Sequence, residues 1–465
     1  MELCRRILTS TISQISPSSF INTSLSVTDD KLCIGHQTFE LKRNLTVIGF
    51  GKSAYNMWRS VEPEVGHHVK HVFLSVPHVQ DVNSVYPKVN TQPGCNYTLR
   101  AGAEHNLPDA TSVGVTRDIV RHCKLLRHTD LVLCLFGGGG SASLCDPVID
   151  LSDMLAVIKL LVSHGATIQQ LNTVRSFLDN VKGGGLALTS LPATVVTLII
   201  SDVIGDPLES IASGPTTINN VTGYDVFKVC SDLAISTSLL PASVLNILDS
   251  SHFDIPILYD TSCKKYSTSS LSATCYNVYP VYNYIVGSNK VALERASELS
   301  ELRTTIVTSE LCGEARVVGR DIANKAMSLV NELQTPGVYK AGEACLLFGG
   351  ETTVTFTGKG LGGRCQELAL SAGLTLSPIE GWEIVILAAG TDGQDGPTPA
   401  AGAVVDTHTA VQANVQGLDM AQYLRNNDSH NFFRALNNGD NLVTTGLTGT
   451  NVMDLIIVTV TRAAV

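Results

Sequence analysis

At 465 residues, with hydrophobic residues at 44% against 16% charged, the chain is long enough for two large α/β units or about three domains with ample core. A net charge of −10 excludes a broad nucleic-acid surface, which would gather Lys and Arg on one face, and leaves any anionic substrate to a few local cations. No apolar run approaches the roughly 20 residues of a membrane helix, so the chain reads as soluble, with no membrane partner.

The 12 cysteines show no zinc-ligand spacing and read as reduced thiols. Cys134, Cys345 and Cys365 lie in or beside the strongest motifs, where packing is their expected role. The 39 glycines and the 6% aromatic content suit a buried parallel sheet. The first 20 residues, with Arg5, Arg6 and a single acid, predict a first helix and loop, a transit peptide being the other reading.

Residues 45–48 (LTVI) predict a strand feeding GFGKSA at 49–54 and a helix. Formally this is G-x-G-x-x-A after a strand, a dinucleotide fingerprint, but the next strand, 72–76, ends in Pro77 and His78 instead of an acid. Lys52 in that loop suits phosphate or carboxylate better than ribose. The polar turn 102–112 offers His105 and Asp109 as candidate site groups and starts a helix.

The apolar run 131–136 (LVLCLF) predicts a strand covered on both faces, opening into Gly137, Gly138, Gly139, Gly140 and Ser141. So many glycines suggest unusual dihedrals or close approach to an anion, and the absence of G-x-x-x-x-G-K-[ST] means this is not a P-loop. Residues 152–161 and 167–181 predict helices, the second with Ile168, Leu171, Val174, Leu178 and Val181 on one face and Arg175 and Lys182 off it. Lys182 followed by three glycines reads equally as a cationic corner or a plain helix cap. The strand 195–200 delivers Asp202 and Asp206 at its carboxyl end, where open α/β sheets bind ligands and a carboxylate can hold Mg²⁺ or orient a hydroxyl.

Residues 1–240 and 281–465 are expected to form two domains joined by 241–280. In the second, a strand at 284–286 leads into Gly287, Ser288 and Asn289, and CLLFGGE at 345–351 echoes the first glycine turn with Gly350 and Glu351. Arg364 follows a glycine-rich loop at a predicted helix N-terminus, where the dipole disfavours a cation, so an anion is expected to meet it. The strand 383–389 ends in GTDGQDGP, whose Asp392 and Asp395 are candidate metal ligands, and the polar loop 444–454 precedes a final strand at 455–460.

Taken together, GFGKSA, LFGGGGSA, KGGGLA, SDVIGDPLESIASGP, GSN, GEAR, GGETTVTFTGKGLGGRCQELAL, GTDGQDGPTPAAGAVVD and TGLTGTNVMD resemble the glycerate 2-kinase family, the class II glycerate kinases with a MOFRL domain. The resemblance spans nearly the whole chain. It implies an α/β fold of two domains, an N-terminal Rossmann-like three-layer sandwich and a C-terminal MOFRL-type α/β domain, with the active site in the cleft between them. It implies phosphoryl transfer from ATP to D-glycerate, giving 2-phosphoglycerate, with Mg²⁺. The family's catalytic cations map to Lys52 and Arg364, and its first motif aspartate to Asp202.

Gly51, Ser53, Gly137, Gly138, Gly139, Gly140, Ser141, Lys182, Asn289, Gly350 and Glu351 complete the expected substrate- or phosphate-binding set. Domain closure is expected to bring both cations to the phosphate and exclude water. Asn106, Cys365 and Leu447 depart from the family pattern beside these groups and bear on substrate preference. The cytoplasm is the expected compartment, with mitochondria the alternative, and a homodimer is left open. A hydroxypyruvate reductase using a nicotinamide cofactor and a non-catalytic binding protein are the competing readings.

Overall fold

The computed structural model describes residues 1–87, 93–250, 273–275, 280–334 and 343–463. The chain divides into two compact units, one of Phe20–Ser201 with Asp206–Val286, the other of Met1–Ser19, Asp202–Gly205 and Gly287–Val465.

In the first unit a seven-stranded sheet runs in the order Asn96–Gly102, Val69–Pro77, Leu45–Phe50, Leu131–Phe136, Thr194–Ile200, Val281–Gly287, Ala273–Cys275. The first five are parallel. All six residues of Leu45–Phe50 and of Leu131–Phe136 are buried, each large side chain contributing about 1.5–3 kcal/mol of burial. The chain leaves Leu45–Phe50 toward one edge through the next two strands, then returns to Leu131–Phe136 on the opposite flank. That reversal makes a topological switch point between these strands, where ligands bind at carboxyl ends. Flanking helices Leu151–Ser163, Ile168–Phe177 and Gly223–Asp232 share a core of Met154, Val157, Leu171, Val174 and Val226.

In the second unit a six-stranded sheet runs Arg303–Leu311, Ala344–Gly350, Asp454–Arg462, Trp382–Gly390, Gly402–Asp406, Leu442–Val443. The first pair is parallel and the rest antiparallel. Helices Ala315–Gln334 and Arg364–Thr375 bury Ile322, Ala326, Leu368 and Ala372 against it. The N-terminal helix Glu2–Gln14 belongs here too, with Cys4 Sγ 3.5 Å from Thr459 Oγ1.

Two expected boundaries shift. The strand Val281–Gly287, expected to open the second domain, joins the first sheet. The helix expected over 167–181 ends at Phe177, because Asp179 turns to accept the amides of Asp146 (3.1 Å) and Val181 (3.0 Å). Of the connection expected at 241–280, residues 251–272 and 276–279 lie outside the described residues. Among the described residues no cysteine is disulfide-bonded and no helix is long and apolar enough to cross a membrane.

Candidate active site

In the first unit the two glycine turns at the switch point lock together. Phe50 and Phe136 are register partners, and beyond them Lys52 donates its amide to Gly138 O at 2.8 Å while Gly51 donates to Ser75 O at 3.1 Å. Gly51 has φ +93°, and a Cβ there would fall 2.8 Å from Gly138 O and 2.9 Å from Gly137 O. Only glycine permits that approach. Gly139 also has positive φ and turns the chain into Gly140–Ser143. Among the described residues the amides of Gly138 and Gly139 donate to no protein acceptor.

Lys52 is exposed, its aliphatic stem 3.5 Å from the position a Cβ on Gly139 would take. Ser53 is buried beneath it with a hydroxyl that has no protein partner. The turn therefore combines free amides, a buried hydroxyl and an exposed ammonium, a donor set for phosphate or carboxylate.

Lys182 takes a different place from the one expected. It is 4% exposed, and its Nζ donates to Ser141 O at 2.8 Å and Leu144 O at 2.7 Å. It braces the turn from below and lends it positive potential, while the glycines after it donate to the 213–214 backbone at 3.0 and 2.7 Å. Asp109 is likewise spent, in a capping box with Ser112, and His105 is exposed beside Glu104. Asp202 is partly buried just beyond the strand Thr194–Ile200.

In the second unit, strand register builds the site. Gly350 pairs with Asp454, and Asp454 with Gly390, so two strand ends and one strand start meet in a row. Gly350 has φ +141°, and a Cβ there would lie 2.3 Å from Leu311 O. Thr391 Oγ1 donates to Met453 O (2.7 Å) and accepts from Val452 N (2.9 Å), fixing the turn in which Met453 holds φ +69°. Such strain, of about 1–3 kcal/mol, collects at functional sites.

That turn aims Asp454, 2% exposed, at Arg364. Arg364 Nε meets Asp454 Oδ2 at 2.6 Å and Nη2 meets Oδ1 at 2.9 Å. Its Nη1 lies 2.9 Å from Glu351, which is 43% exposed. The anions that meet Arg364 are thus the protein's own carboxylates. Burial works against the guanidinium charge, but the bidentate Asp454 outweighs it and holds the arginine charged. Burial also pushes the Glu351 and Asp454 carboxyls above their ordinary range, against the pull of Arg364. Cys365, next in sequence, is buried with its thiol pushed far up by desolvation.

Asp395 is not available as the expected metal ligand. It accepts the amides of Cys365 (3.1 Å) and Gln366 (2.9 Å) and the Gln366 side chain (2.9 Å), capping the helix Arg364–Thr375. Burial raises its carboxyl to about 6. Asn289, buried, donates its amide nitrogen to Val452 O and Asp454 O at 2.9 Å each, while its Oδ1 has no protein partner among the described residues. Asp392 is partly buried, and among the described residues its side chain accepts only the Gln394 amide (3.1 Å).

Among the described residues no three His, Cys, Asp or Glu side chains are arranged to hold a metal ion by themselves. Mg²⁺ ordinarily takes one or two carboxylates and completes its shell with phosphate oxygens and water. Asp392 with Glu351, which feel each other's charge, supply that number.

The residue that sequence reasoning missed is Asp454. The available signal was an acid at the threshold of an otherwise apolar strand, LIIVTV.

A doubly wound sheet with an anion cradle at its switch point, in a chain whose second unit carries an arginine among carboxylates, defines an α/β enzyme for an anionic substrate. Residues 3–249 match the family described as a domain of unknown function (DUF4147), and residues 344–454 match the MOFRL family. A glycerate kinase of Danio rerio is 38% identical over 97% of this chain and 96% of its own length. A D-glycerate 2-kinase of Thermotoga maritima is 38% identical over 76% of this chain and 78% of its own length. Among solved structures, a glycerate kinase from Thermotoga maritima covers 99% of both chains at 31% identity and a TM-score of 0.79. A Pyrococcus horikoshii protein covers 99% of this chain and 98% of its own at TM-score 0.80, also 31% identical. The chain belongs to the glycerate kinase family that joins a DUF4147 domain to a MOFRL domain.

Proposed function

We infer that this protein is a kinase that phosphorylates glycerate, taking the γ-phosphoryl group from ATP and delivering it to the 2-hydroxyl of D-glycerate. The observation that carries the reading is a chain matched nearly end to end by glycerate kinases and built around a glycine turn with uncommitted amides and an exposed lysine.

Phosphoryl transfer asks mainly for positioning and for cations where charge spreads over the transferred oxygens. Lys52 and the Gly138 and Gly139 amides answer that need on one unit, and Arg364 on the other. Asp454 fixes the arginine plane, leaving Glu351 as the exchangeable partner that a phosphate oxygen replaces. Asp202 takes the proton from the glycerate 2-hydroxyl as its oxygen bonds to the γ-phosphorus. The bond from that phosphorus to the bridging oxygen breaks, and ADP leaves. Asp392 and Glu351 are the residues to hold Mg²⁺, which neutralises phosphate charge when bound. Losing one such electrostatic donor typically costs roughly 10²- to 10³-fold in rate, so Arg364→Ala is expected to lower kcat by that factor with little rise in KM.

The test couples the product to enolase, which accepts 2-phosphoglycerate without a mutase. Phosphoenolpyruvate formed from Mg·ATP and D-glycerate supports reaction and regiochemistry together. A requirement for mutase would move the phosphate to the 3-hydroxyl, and NADH oxidation on hydroxypyruvate without ADP release would replace the kinase by a reductase. An unchanged kcat in Arg364→Ala would remove the arginine from the transition state.

A further inference from the structure

Behind the glycine turn of the first unit stands a cation that the reading above does not use. Arg175 projects, partly buried, from the helix Ile168–Phe177. Its Nη1 makes one long contact, 3.4 Å to Asn172 Oδ1, and among the described residues no carboxylate lies within ion-pair distance of it. The contrast is with Arg316 and Arg364, whose partly buried guanidinium groups each reach a nearly inaccessible carboxylate. Burial weakens the charged form of Arg175, countered only by the Cys145 thiol, which burial itself keeps protonated. A desolvated charge without a counter-ion is costly, so a guanidinium kept in such a place is one whose partner arrives from outside the chain.

The polar groups around it lead to the glycine turn. Asn172 Oδ1 also accepts the Ser213 hydroxyl at 3.0 Å, and Ser213 Oγ lies 2.8 Å from Ser141 Oγ, in the helical turn that follows Gly139. Ser213 and the preceding Ala212 both hold left-handed dihedrals, φ 62° and 53°, strain of the kind kept where a side chain must be aimed. Gly183 holds this ridge in place by donating to Ser213 O at 3.0 Å.

Besides the bracing Lys182, two cations therefore serve one short turn. The Lys52 stem packs by Gly139, while Arg175 reaches Ser141, two residues on, through Asn172 and Ser213. Glycerate has the matching shape, with a permanent carboxylate one carbon from the hydroxyl that receives the phosphoryl group. A planar guanidinium linked through Asn172 to the hydroxyls of Ser213 and Ser141 suits the carboxylate, and the flexible ammonium suits the transferred group.

We propose that Arg175, with the hydroxyls of Ser141 and Ser213, binds the carboxylate of the acceptor and so restricts the enzyme to a hydroxy acid over a neutral polyol. The assignment rests on the glycerate kinase reading above and adds to it the residue that recognises the acid.

The test is calorimetric titration of the full-length protein, wild type, Arg175→Gln, Arg175→Lys and Ser141→Ala, with D-glycerate and separately with ADP. Kinetics with D-glycerate and with glycerol run alongside. In Arg175→Gln, glycerate affinity is expected to fall roughly 10- to 100-fold, the worth of a charge-assisted pair, with ADP affinity unchanged and Arg175→Lys recovering part of the loss. The preference for D-glycerate over glycerol in kcat/KM should collapse by the same factor. Weakened ADP with intact glycerate binding would overturn the proposal in favour of a nucleotide-phosphate contact. Unchanged affinity for both would overturn it in favour of a structural cation. Should Arg175→Gln fail to fold, Arg175→Lys and Ser141→Ala decide, and unaltered glycerate binding in both sinks the idea. A wild-type protein that neither binds D-glycerate nor releases ADP with it marks failure of the kinase reading itself, before any variant is compared.

Discussion

The place of Lys182 leads to a sharp prediction, because its ammonium has two jobs it could be doing and they separate experimentally. Consider Lys182→Met, which keeps the length and apolar stem and removes the charge. A partly buried carbonyl, Ser141 O, and a buried one, Leu144 O, lose donors at 2.8 and 2.7 Å. Each unpaired acceptor costs about 1–3 kcal/mol. Methionine refills most of the volume and no longer carries the desolvation cost of an ammonium, which brings the net loss to about 2–4 kcal/mol. For a unit of this size each kcal/mol moves Tm by about 2–4 °C, so a drop of roughly 4–16 °C is expected. Differential scanning calorimetry measures it, with steady-state kinetics at a temperature where the variant stays folded. Activity should fall chiefly through kcat as the turn loosens, with KM for ATP and glycerate moving less than threefold. A variant with wild-type Tm and a KM raised a hundredfold would refute the bracing role and return Lys182 to direct ligand contact.

Three further outcomes follow from the geometry. Gly51→Ala adds a Cβ 2.8 Å from Gly138 O at φ +93°, so the interlocked turns must part; turnover should fall at least 100-fold while the second unit's thermal transition stays put. Asp454→Asn replaces the bidentate acceptor of Arg364 with a group carrying one donor, and kcat should drop by roughly 10²-fold with KM nearly constant, as for loss of a preorganised electrostatic group; an unaltered kcat would show that Asp454 does not orient the arginine. His122 accounts for an acid-sensitive step: half-buried beside His71, with Nε2 3.0 Å from Thr46 Oγ1, it has its pKa lowered to about 4 by desolvation and then by His71. The unfolded chain takes up this proton near 6.5 and the folded one only near 4, so the contribution is complete above 6.5 and lost as pH falls toward 4. After discounting for solvent screening it amounts to about 1–2 kcal/mol. Chemical denaturation across that window should show His122→Gln with a flatter profile by that amount, and parallel profiles would remove the histidine from the acid response.

Much of this protein is legible in its sequence, for reasons that differ between its parts. The strands Leu131–Phe136 and Trp382–Gly390 announce themselves because burial on both faces demands apolar runs, and the glycine turn after the first because a Cβ would meet packed neighbours, Ile200 O at 3.0 Å from Gly137 and the Ala212 side chain at 2.7 Å from Gly140. Which sheet a strand joins is a non-local choice, and nothing in VYNYIVG says that it pairs with the first sheet. The same limit applies to Arg364. Its need for an anion is readable from a helix start, but its partner lies 90 residues away and is delivered by strand register. Lys182 and Asp395 show the converse. Both are charged groups at glycine-softened corners, the usual appearance of ligand contacts, and burial turns one into a brace and the other into a cap.

The row Gly350, Asp454, Gly390 ties chemistry to bookkeeping along the strands. Side chains alternate faces with a period of two, so inserting one residue into Asp454–Arg462 would send either Asp454 or every core residue beyond the insertion to the far face. Variation in this half of the molecule is therefore channelled outward, into the loops beyond the row. Any effort to retune this half of the molecule can redraw those loops around Glu351, Arg364 and Asp392 but has to leave the strand count untouched.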